Sequence, residues 1–215
     1  IGIIGCGQMG TDVVAEVSKM TGIQVVSTSD VYLERAVNAY QIGGIKGEVV
    51  SVQSTAEADE LAAKGIYIAT QDYQVITDMR TVDVVLEATG VPEIGAKAAL
   101  RTIKAGHDLA MMNVETDITV GPLLNWYAQQ KGVLYALAAG DEPAACKELY
   151  DFADALSFTI VAAGKGKNNP LDRYCTPEDP DVIKEAERRG LNPNMLIEFI
   201  DGSKTMIEMA AVSNS

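Results

Sequence analysis

The sequence is poor in cysteine, in basic residues and in long apolar runs, and each shortage excludes a class of protein. Its three cysteines, Cys6, Cys146 and Cys175, are far apart, and no two of them form a zinc or redox motif. This favours reduced thiols in the cytoplasm over a disulfide framework. No stretch approaches the roughly 18 consecutive apolar residues of a membrane span, and we expect no basic, apolar and cleavable leader.

Basic residues are outnumbered, with 17 Lys and Arg against 30 Asp and Glu, which gives a net charge of -13. Such a polyanion is repelled by nucleic acid and by anionic membranes, so neither is expected as a partner. A phosphorylated substrate would need local lysines or a metal ion. The 215 residues are 47% hydrophobic, enough to bury a core in one large domain or two small ones. Because Ile1 already belongs to a strand and Ser215 follows a helical run, we expect the chain to continue at one end or both.

The first 140 residues alternate between predicted strands and helices. Continuous Val, Ile, Leu and Ala runs bounded by glycine are typical of strands covered on both faces, as in a parallel sheet. Apolar residues at helical spacing separate them, with Thr55 as a predicted N-cap. Strands are predicted at 1–5, 23–28, 66–70, 82–88, 107–112 and 133–138, and helices at 11–20, 33–40, 56–64, 73–79, 93–105 and 121–131.

Beyond about residue 140 the alternation is less regular. A polar loop at 164–180 interrupts the segment, and an apolar run occupies 195–200. Helices are predicted at 143–156, at 181–189 and from Lys204 onward, with a strand at 158–162. We therefore divide the chain into a nucleotide-binding domain at 1–135 and part of a substrate domain at 136–215.

The most informative motif is Gly5-Cys6-Gly7-Gln8-Met9-Gly10, between a strand and an amphipathic helix. In this G-x-G-x-x-G pattern the first glycine permits a tight turn, the second lets a pyrophosphate approach the backbone, and the third lets helix and strand pack closely. The free N–H groups of the helix start would bind the phosphates. An ordinary glycine turn is the alternative.

Two further segments would complete a dinucleotide site. Asp30 ends the second strand at the spacing expected for a carboxylate that binds the adenosine ribose, which favours NAD, whereas nearby Arg35 could accommodate the extra phosphate of NADP. Asp30 could instead be a solvated turn residue. The loop with Thr89 and Gly90 follows another strand and is interpreted either as the nicotinamide side of the site or as a plain turn.

Candidate substrate groups lie in the second half of the chain. Asp141 and Glu142 follow a strand, where they either cap a helix or bind Mg or Mn through carboxylate oxygens. Lys204 and Glu208 form either a helical ion pair or a proton donor and metal ligand. The polar loop combines flexibility, positive charge and amide donors that suit an oxyanion, through Lys165, Lys167, Asn168 and Asn169. The single histidine, His107, is interpreted as structural.

Several of these motifs together carry a resemblance that spans nearly the whole chain. The sequence resembles the homoserine-dehydrogenase-like oxidoreductases, and within them the branch described as deoxyxylulose-phosphate-reductoisomerase-like, or DRL. The matching segments are those at 3–10, 88–92, 111–115, 138–143 and 164–172.

The resemblance implies a Rossmann domain, an α+β catalytic domain with a homodimer interface, and a further C-terminal segment missing here. It also implies an NADPH-dependent, metal-assisted conversion of 1-deoxy-D-xylulose 5-phosphate to 2-C-methyl-D-erythritol 4-phosphate for isoprenoid synthesis. In that scheme Asn113 lies at the cofactor, Lys204 is the proton donor, and Lys165 and Lys167 bind the phosphate. Asp141, Glu142 and Glu208 are the metal ligands, of which only the first two match acidic positions of related reductoisomerases.

One position departs from the family pattern. Homoserine dehydrogenases and true reductoisomerases usually carry Ala-Asn-Lys after the fifth strand, where this chain has Met112-Asn113-Val114. Without that lysine, simple homoserine oxidation lacks its expected proton carrier. This puts homoserine dehydrogenation in doubt. It stays open beside the reductoisomerase, as do dehydrogenation of a sugar-derived hydroxy acid and nucleotide sensing without turnover.

Overall fold

The computed structural model describes residues 1–138, 140–167 and 171–214. The chain forms two compact units, Ile1–Ala138 (unit 1) and Ala139–Ser215 (unit 2). Across the described ranges, no helix is both long and apolar enough to cross a membrane.

Unit 1 is built on a seven-stranded sheet in which every paired strand is parallel. The spatial order is β3-β4-β2-β1-β5-β6-β7. The sheet therefore grows outward in both directions from β1, which pairs with β2 on one side and with β5 on the other. This confirms the predicted doubly wound α/β fold. The strands are β1 (Gly2–Ile4), β2 (Ser27–Ser29), β3 (Val49–Ser51), β4 (Tyr67–Thr70), β5 (Val84–Glu87), β6 (Asp108–Met111) and β7 (Tyr135–Leu137).

Helices cover both faces of this sheet, because successive strand residues point to opposite sides. Ile3 belongs to a core cluster with residues of α1 and α2, whereas Ile4 belongs to the larger cluster with residues of α3 to α6. The helices are α1 (Gln8–Val17), α2 (Leu33–Ile42), α3 (Thr55–Ala63), α4 (Tyr73–Asp78), α5 (Pro92–Ala105) and α6 (Val114–Lys131).

Side chains cap several of these helices and fix where they begin. Asp72 accepts a hydrogen bond from Gln74 N–H at the start of α4, and Asn113 accepts one from Thr116 N–H at the start of α6. The predicted cap of α3 is wrong by one residue: Ser54 Oγ accepts from Glu57 N–H, and Thr55 is already helical. A cap satisfies one of the backbone N–H groups that a helix start leaves unpaired.

Several elements of unit 1 differ from prediction: β2 was predicted at 23–28 but is limited to Ser27–Ser29, and α1 begins three residues before the predicted start. Strand β3 was not predicted, since Val49-Val50-Ser51 is too short to show a period. Helix α6 begins at Val114, seven residues before the predicted start, and accommodates Pro122 in its interior.

Unit 2 consists of helices α7 (Glu142–Ala155), α8 (Pro180–Arg189), α9 (Pro193–Ile200) and α10 (Ser203–Asn214). In the part of unit 2 that the structure describes, its apolar cluster has three buried members, Val182, Ala186 and Leu196. The strand predicted at 158–162 is wrong: these residues are described and form no strand, and Val161 is 93% exposed. An isolated apolar run has no neighbouring strand to satisfy its backbone groups.

Candidate functional site

The glycine turn after β1 meets two steric demands of the fold. Gly5 has a φ of +95°, and a Cβ there would lie 2.6 Å from the carbonyl carbon of Ala88. A Cβ on Gly10 would lie 1.9 Å from Gly5 O, so α1 could not pack against the turn. Gly7 is different, because a Cβ there would meet nothing within 4 Å. The protein itself thus requires the first and third glycines, whereas the second faces open space.

That open space lies at the start of α1. Gly7 is the N-cap and supplies no side-chain hydrogen bond to the helix, and Gln8 and Met9 are exposed. The first backbone N–H groups of a helix carry partial positive charge and attract phosphate when they are uncapped. The turn therefore suits the pyrophosphate of a dinucleotide, because there is open space beside Gly7 and the first backbone N–H groups of α1 can donate hydrogen bonds.

The turn also lies at the topological switch point of the sheet, between β1 and β5. Ala88 N–H donates to Ile4 O at 2.7 Å, which joins the end of β5 to the end of β1. Ligands of open α/β sheets bind in the crevice outside the strand ends at this point. The fold thus places the segments with Gly5 to Gly10 and with Thr89 and Gly90 side by side.

Asp30 follows β2, and its carboxylate forms a hydrogen bond with the glycine turn. One carboxylate oxygen accepts from Cys6 N–H at 2.9 Å and the other from Tyr32 N–H at 2.9 Å. Arg35 is exposed and stacks on the Tyr32 ring at 4.6 Å. Asp30 therefore shapes the turn, and its half-exposed carboxylate keeps lone pairs for a further donor. The ribose contact and the choice between NAD and NADP stay predictions.

The thiol of Cys6 lies inside this turn. It is 3% exposed and its Sγ is 3.6 Å from Ser29 O. Burial, followed by the nearby charge of Asp30, raises the pKa of the Cys6 thiol to about 12. Within the turn Cys6 is thus a small neutral side chain.

Glu87 is a residue that sequence reasoning missed. It ends β5, is fully buried, and accepts hydrogen bonds from Thr89 N–H at 2.9 Å and Thr89 Oγ1 at 2.5 Å. Burial raises the pKa of this carboxyl group above its usual range. The signal was an acid inside an otherwise apolar strand, since such groups are buried only where they are hydrogen-bonded. Glu87 holds the segment with Thr89 and Gly90 in place.

Asn113, predicted to contact the cofactor, is 2% exposed and caps α6. It lies beside Glu87: a Cβ on Gly95 would come within 2.9 Å of both Asn113 Nδ2 and Glu87 Oε2. The structure therefore gives Asn113 a positioning role below the switch point, and a cofactor contact stays a prediction.

In unit 2 the three predicted metal ligands hold protein groups instead. Asp141 Oδ1 accepts from Ala144 N–H and caps α7. Glu142 accepts from Lys165 Nζ at 2.6 Å, and Glu208, which is 1% exposed, forms an ion pair with the same ammonium group. The hydrogen bond from Lys165 lowers the pKa of Glu142.

The cation between Glu142 and Glu208 is thus the side chain of Lys165. Among the described residues, no group of His, Cys, Asp and Glu side chains is arranged to hold a metal ion. This arrangement does not fit the predicted Mg or Mn site.

The two lysines predicted to bind the substrate phosphate have different surroundings. Whereas Lys165 is held by two carboxylates, Lys167 Nζ lies 4.4 Å above the ring of Phe199. Burial, followed by the charge of Lys165, lowers the pKa of Lys167. Lys204 lies in the first turn of α10, and Glu208, its predicted partner, contacts Lys165. Asn168 and Asn169 lie outside the described residues.

Comparison with known protein families supports an assignment for unit 2. Residues 140–215 match the model of a family described as "Oxidoreductase DRL, catalytic domain". For this segment the predicted resemblance to the DRL branch is confirmed. No curated protein matches the chain.

Solved structures with a similar fold also match the chain. A variant of a 3-ketoreductase from Actinomadura kijaniata, in complex with TDP-benzene and NADP, matches with a TM-score of 0.50 and 16% identity over 73% of this chain and 42% of that one. The myo-inositol dehydrogenase from Lactobacillus casei, in complex with NAD(H) and myo-inositol, matches with a TM-score of 0.50 and 15% identity over 71% and 41%.

The chain therefore spans about two fifths of the length of these two structures. At these identities the likeness establishes a Rossmann-type fold, and residues 140–215 carry the match to an oxidoreductase catalytic domain.

Proposed function

We propose that this chain is part of an NAD(P)-dependent oxidoreductase. The observation that carries the proposal is the glycine turn at the switch point. Its second glycine faces open space and its helix start is uncapped, which is the arrangement that a dinucleotide pyrophosphate requires. The match of residues 140–215 to an oxidoreductase catalytic domain supports it independently.

Each described part has a task in this proposal. The turn at Gly7 binds the pyrophosphate, and Asp30 accepts hydrogen bonds from the ribose. The segment with Thr89 and Gly90, held by Glu87, lines the nicotinamide side. When bound, the cofactor supplies or accepts a hydride, and the protein provides binding and orientation.

The finer proposal is the reductoisomerase reaction that converts 1-deoxy-D-xylulose 5-phosphate to 2-C-methyl-D-erythritol 4-phosphate. The match to the DRL family supports it. The ion pairs of Lys165 with Glu142 and Glu208 favour a second candidate. That candidate is a dehydrogenase of homoserine or a sugar-derived hydroxy acid, because simple dehydrogenation needs no metal-chelated intermediate. Nucleotide sensing without turnover is the third.

Cofactor binding is the decisive test. Titration of the full-length protein with NADH and with NADPH, followed by nicotinamide fluorescence, should give saturable binding to at least one. Gly7→Ala should weaken it about tenfold or more, because a methyl group enters the space proposed for the pyrophosphate. Glu16→Ala, an exposed position farther along α1, should bind like the parent. No binding to the parent, or equal binding by both variants, would refute the proposal.

Turnover then separates the candidates. With deoxyxylulose phosphate, a reductoisomerase should oxidise NADPH only when Mg or Mn is present, and a chelator should abolish the reaction. A dehydrogenase should act on homoserine or a sugar-derived acid with the chelator present. A sensor should bind the cofactor and turn over none of these compounds.

The protein's environment and assembly also remain proposals. The three cysteines are free thiols, which agrees with a cytoplasmic protein. A homodimer is proposed through unit 2, where apolar side chains such as Leu149 and Phe152 are exposed. Sedimentation velocity should show a dimer, and Phe152→Asp should shift it toward monomer.

A further inference from the structure

A cavity of about 550 Å³ lies in unit 2, at the start of α10. Its wall is partly apolar, through Leu171, Ile200 and Met206, and it also carries cationic and hydroxyl groups that would orient a small polar ligand. The lining residues used below are Lys167, Arg173, Phe199, Asp201, Ser203 and Thr205.

Lys167 is the unusual member of this wall. Its Nζ is buried and, within the described ranges, has no hydrogen-bond partner. The ring of Phe199, 4.4 Å away, provides only a cation–π contact. A buried ammonium group that donates no hydrogen bond is unfavourable, so a ligand that accepts one is expected beside it.

The remaining polar groups favour an anion. Arg173 adds a second positive charge and a planar set of donors. Among the described residues of the wall Asp201 is the only acid. One of its oxygens is already occupied, since it accepts from Ser203 N–H at 2.8 Å. The first turn of α10 contributes the positive end of a 12-residue helix.

The contrast with Lys165 strengthens this argument. Lys165 carries the same charge two residues earlier, yet Glu142 and Glu208 neutralise it. An oxyanion ligand would be drawn to Lys167 and not to Lys165, although the sequence pattern treats the two lysines alike.

We propose that this cavity is an oxyanion subsite, in which Lys167 and Arg173 bind the phosphate or carboxylate of a small substrate. The inference rests on the proposed function and deepens it, since it defines the substrate class as an anionic hydroxy or keto compound. The neutral polyol of the Lactobacillus casei dehydrogenase would belong to a different class.

Calorimetric titration of the full-length protein tests the subsite directly. Inorganic phosphate and acetate are the two probes, and glycerol is the neutral control. At least one anion should bind with saturation and glycerol should not. The tighter anion then identifies the substrate as a phosphate ester or a carboxylic acid.

Matched variants assign the binding to the cavity. Lys167→Met keeps an unbranched side chain over Phe199 and should weaken anion binding about tenfold to a hundredfold, because it removes a charge-assisted hydrogen bond. Arg173→Met should weaken it less, since Arg173 is exposed. Lys184→Met removes the same charge from the exposed face of α8 and should bind like the parent. Lys167→Arg, which keeps the charge, should retain most of the affinity.

Other outcomes would overturn the inference. The first is that the parent protein binds neither anion with saturation. The second is that Lys167→Met and Lys184→Met weaken anion binding equally, which would indicate a general charge effect. Phosphate could also bind at the glycine turn. The phosphate binding that Lys167→Met removes must therefore be unchanged in Gly7→Ala. NADH and NADPH binding is measured on the same variants. A parent protein that binds NADH or NADPH but neither anion refutes only this inference, and a parent that binds an anion through Lys167 but neither dinucleotide refutes only the proposed function.

Discussion

The two units are stabilised by different means. In unit 1 two apolar clusters fill both faces of the sheet, with side chains such as Ile3, Ile68 and Ile76 fully buried. In unit 2 the apolar cluster among the described residues has three buried members, and the Lys165 side chain, 11% exposed, lies between two glutamates. Packing thus determines the fold of unit 1, whereas ion pairs contribute a larger share in unit 2. Substitutions that remove one or the other kind of interaction test this difference.

The largest effect is expected at the charged group of unit 2. Lys165→Met leaves Glu208 buried without its counter-charge and should lower the free energy of unfolding by about 3–5 kcal/mol. Lys147→Met removes an exposed pair with Asp151 and should cost less than about 1 kcal/mol. Urea denaturation with hydrogen exchange on α10 measures both. A double variant, Lys165→Met with Glu208→Leu, should recover most of the loss, and equal costs of the two single variants would contradict the comparison.

Truncating a buried apolar side chain should cost more stability in unit 1 than in unit 2. Ile76→Ala should lower the free energy of unfolding by about 2–5 kcal/mol. We expect the upper end of this range, because Ile76 packs so closely on Gly2 that a Cβ there would lie 2.4 Å from its side chain. Leu196→Ala should cost about 2 kcal/mol, since a small cluster can relax around the gap. Hydrogen exchange resolved by unit is the measurement. A larger cost for Leu196 would show that unit 2 also depends mainly on packing.

Within unit 1, Gly10 and Gly7 should differ in how much their substitution lowers stability. Gly10→Ala should cost about 1–3 kcal/mol, because its methyl group overlaps Gly5 O. Gly7→Ala should stay within about 1 kcal/mol of the parent, since it meets no protein atom. Thermal unfolding compares the two. Similar melting temperatures would argue against the steric role assigned to the third glycine.

The smallest effect concerns Glu87 and depends on pH. Its pKa in the folded protein is raised by burial, so the ionised group destabilises the fold, and stability falls as pH rises from the unfolded value through the folded one. Glu87→Gln can still accept both hydrogen bonds from Thr89. The variant should therefore be more stable than the parent at pH 7 and lose this advantage in acid. Denaturation at several pH values checks this, and a constant difference would be the contrary result.

The same contrast explains what the sequence could predict. In unit 1 the apolar strands and the glycine turn follow from local rules, because Gly5 and Gly10 meet steric demands that only glycine satisfies. Val49–Ser51 escaped prediction because three residues show no period, and its place in the sheet depends on pairing with β4. These limits concern short elements, not the architecture.

In unit 2 the decisive contacts are distant in sequence. Lys165 pairs with Glu142 and Glu208, 23 and 43 residues away, so spacing alone could not show that a lysine occupies the place predicted for a metal. Phe158 to Ala162 has the composition of a strand but pairs with no strand among residues 1–138, 140–167 and 171–214. Local pattern therefore identified the charged residues of unit 2 but not their partners.

The high pKa of Cys6 has a practical consequence for labelling. At neutral pH almost none of this thiol is in the reactive thiolate form, and its sulfur is shielded, so alkylating reagents and mild oxidants should leave the glycine turn intact. Cys146, which is more accessible, offers a position for a fluorophore or spin label in the other unit. A probe at Cys146 can thus report on unit 2 while the glycine turn stays chemically untouched.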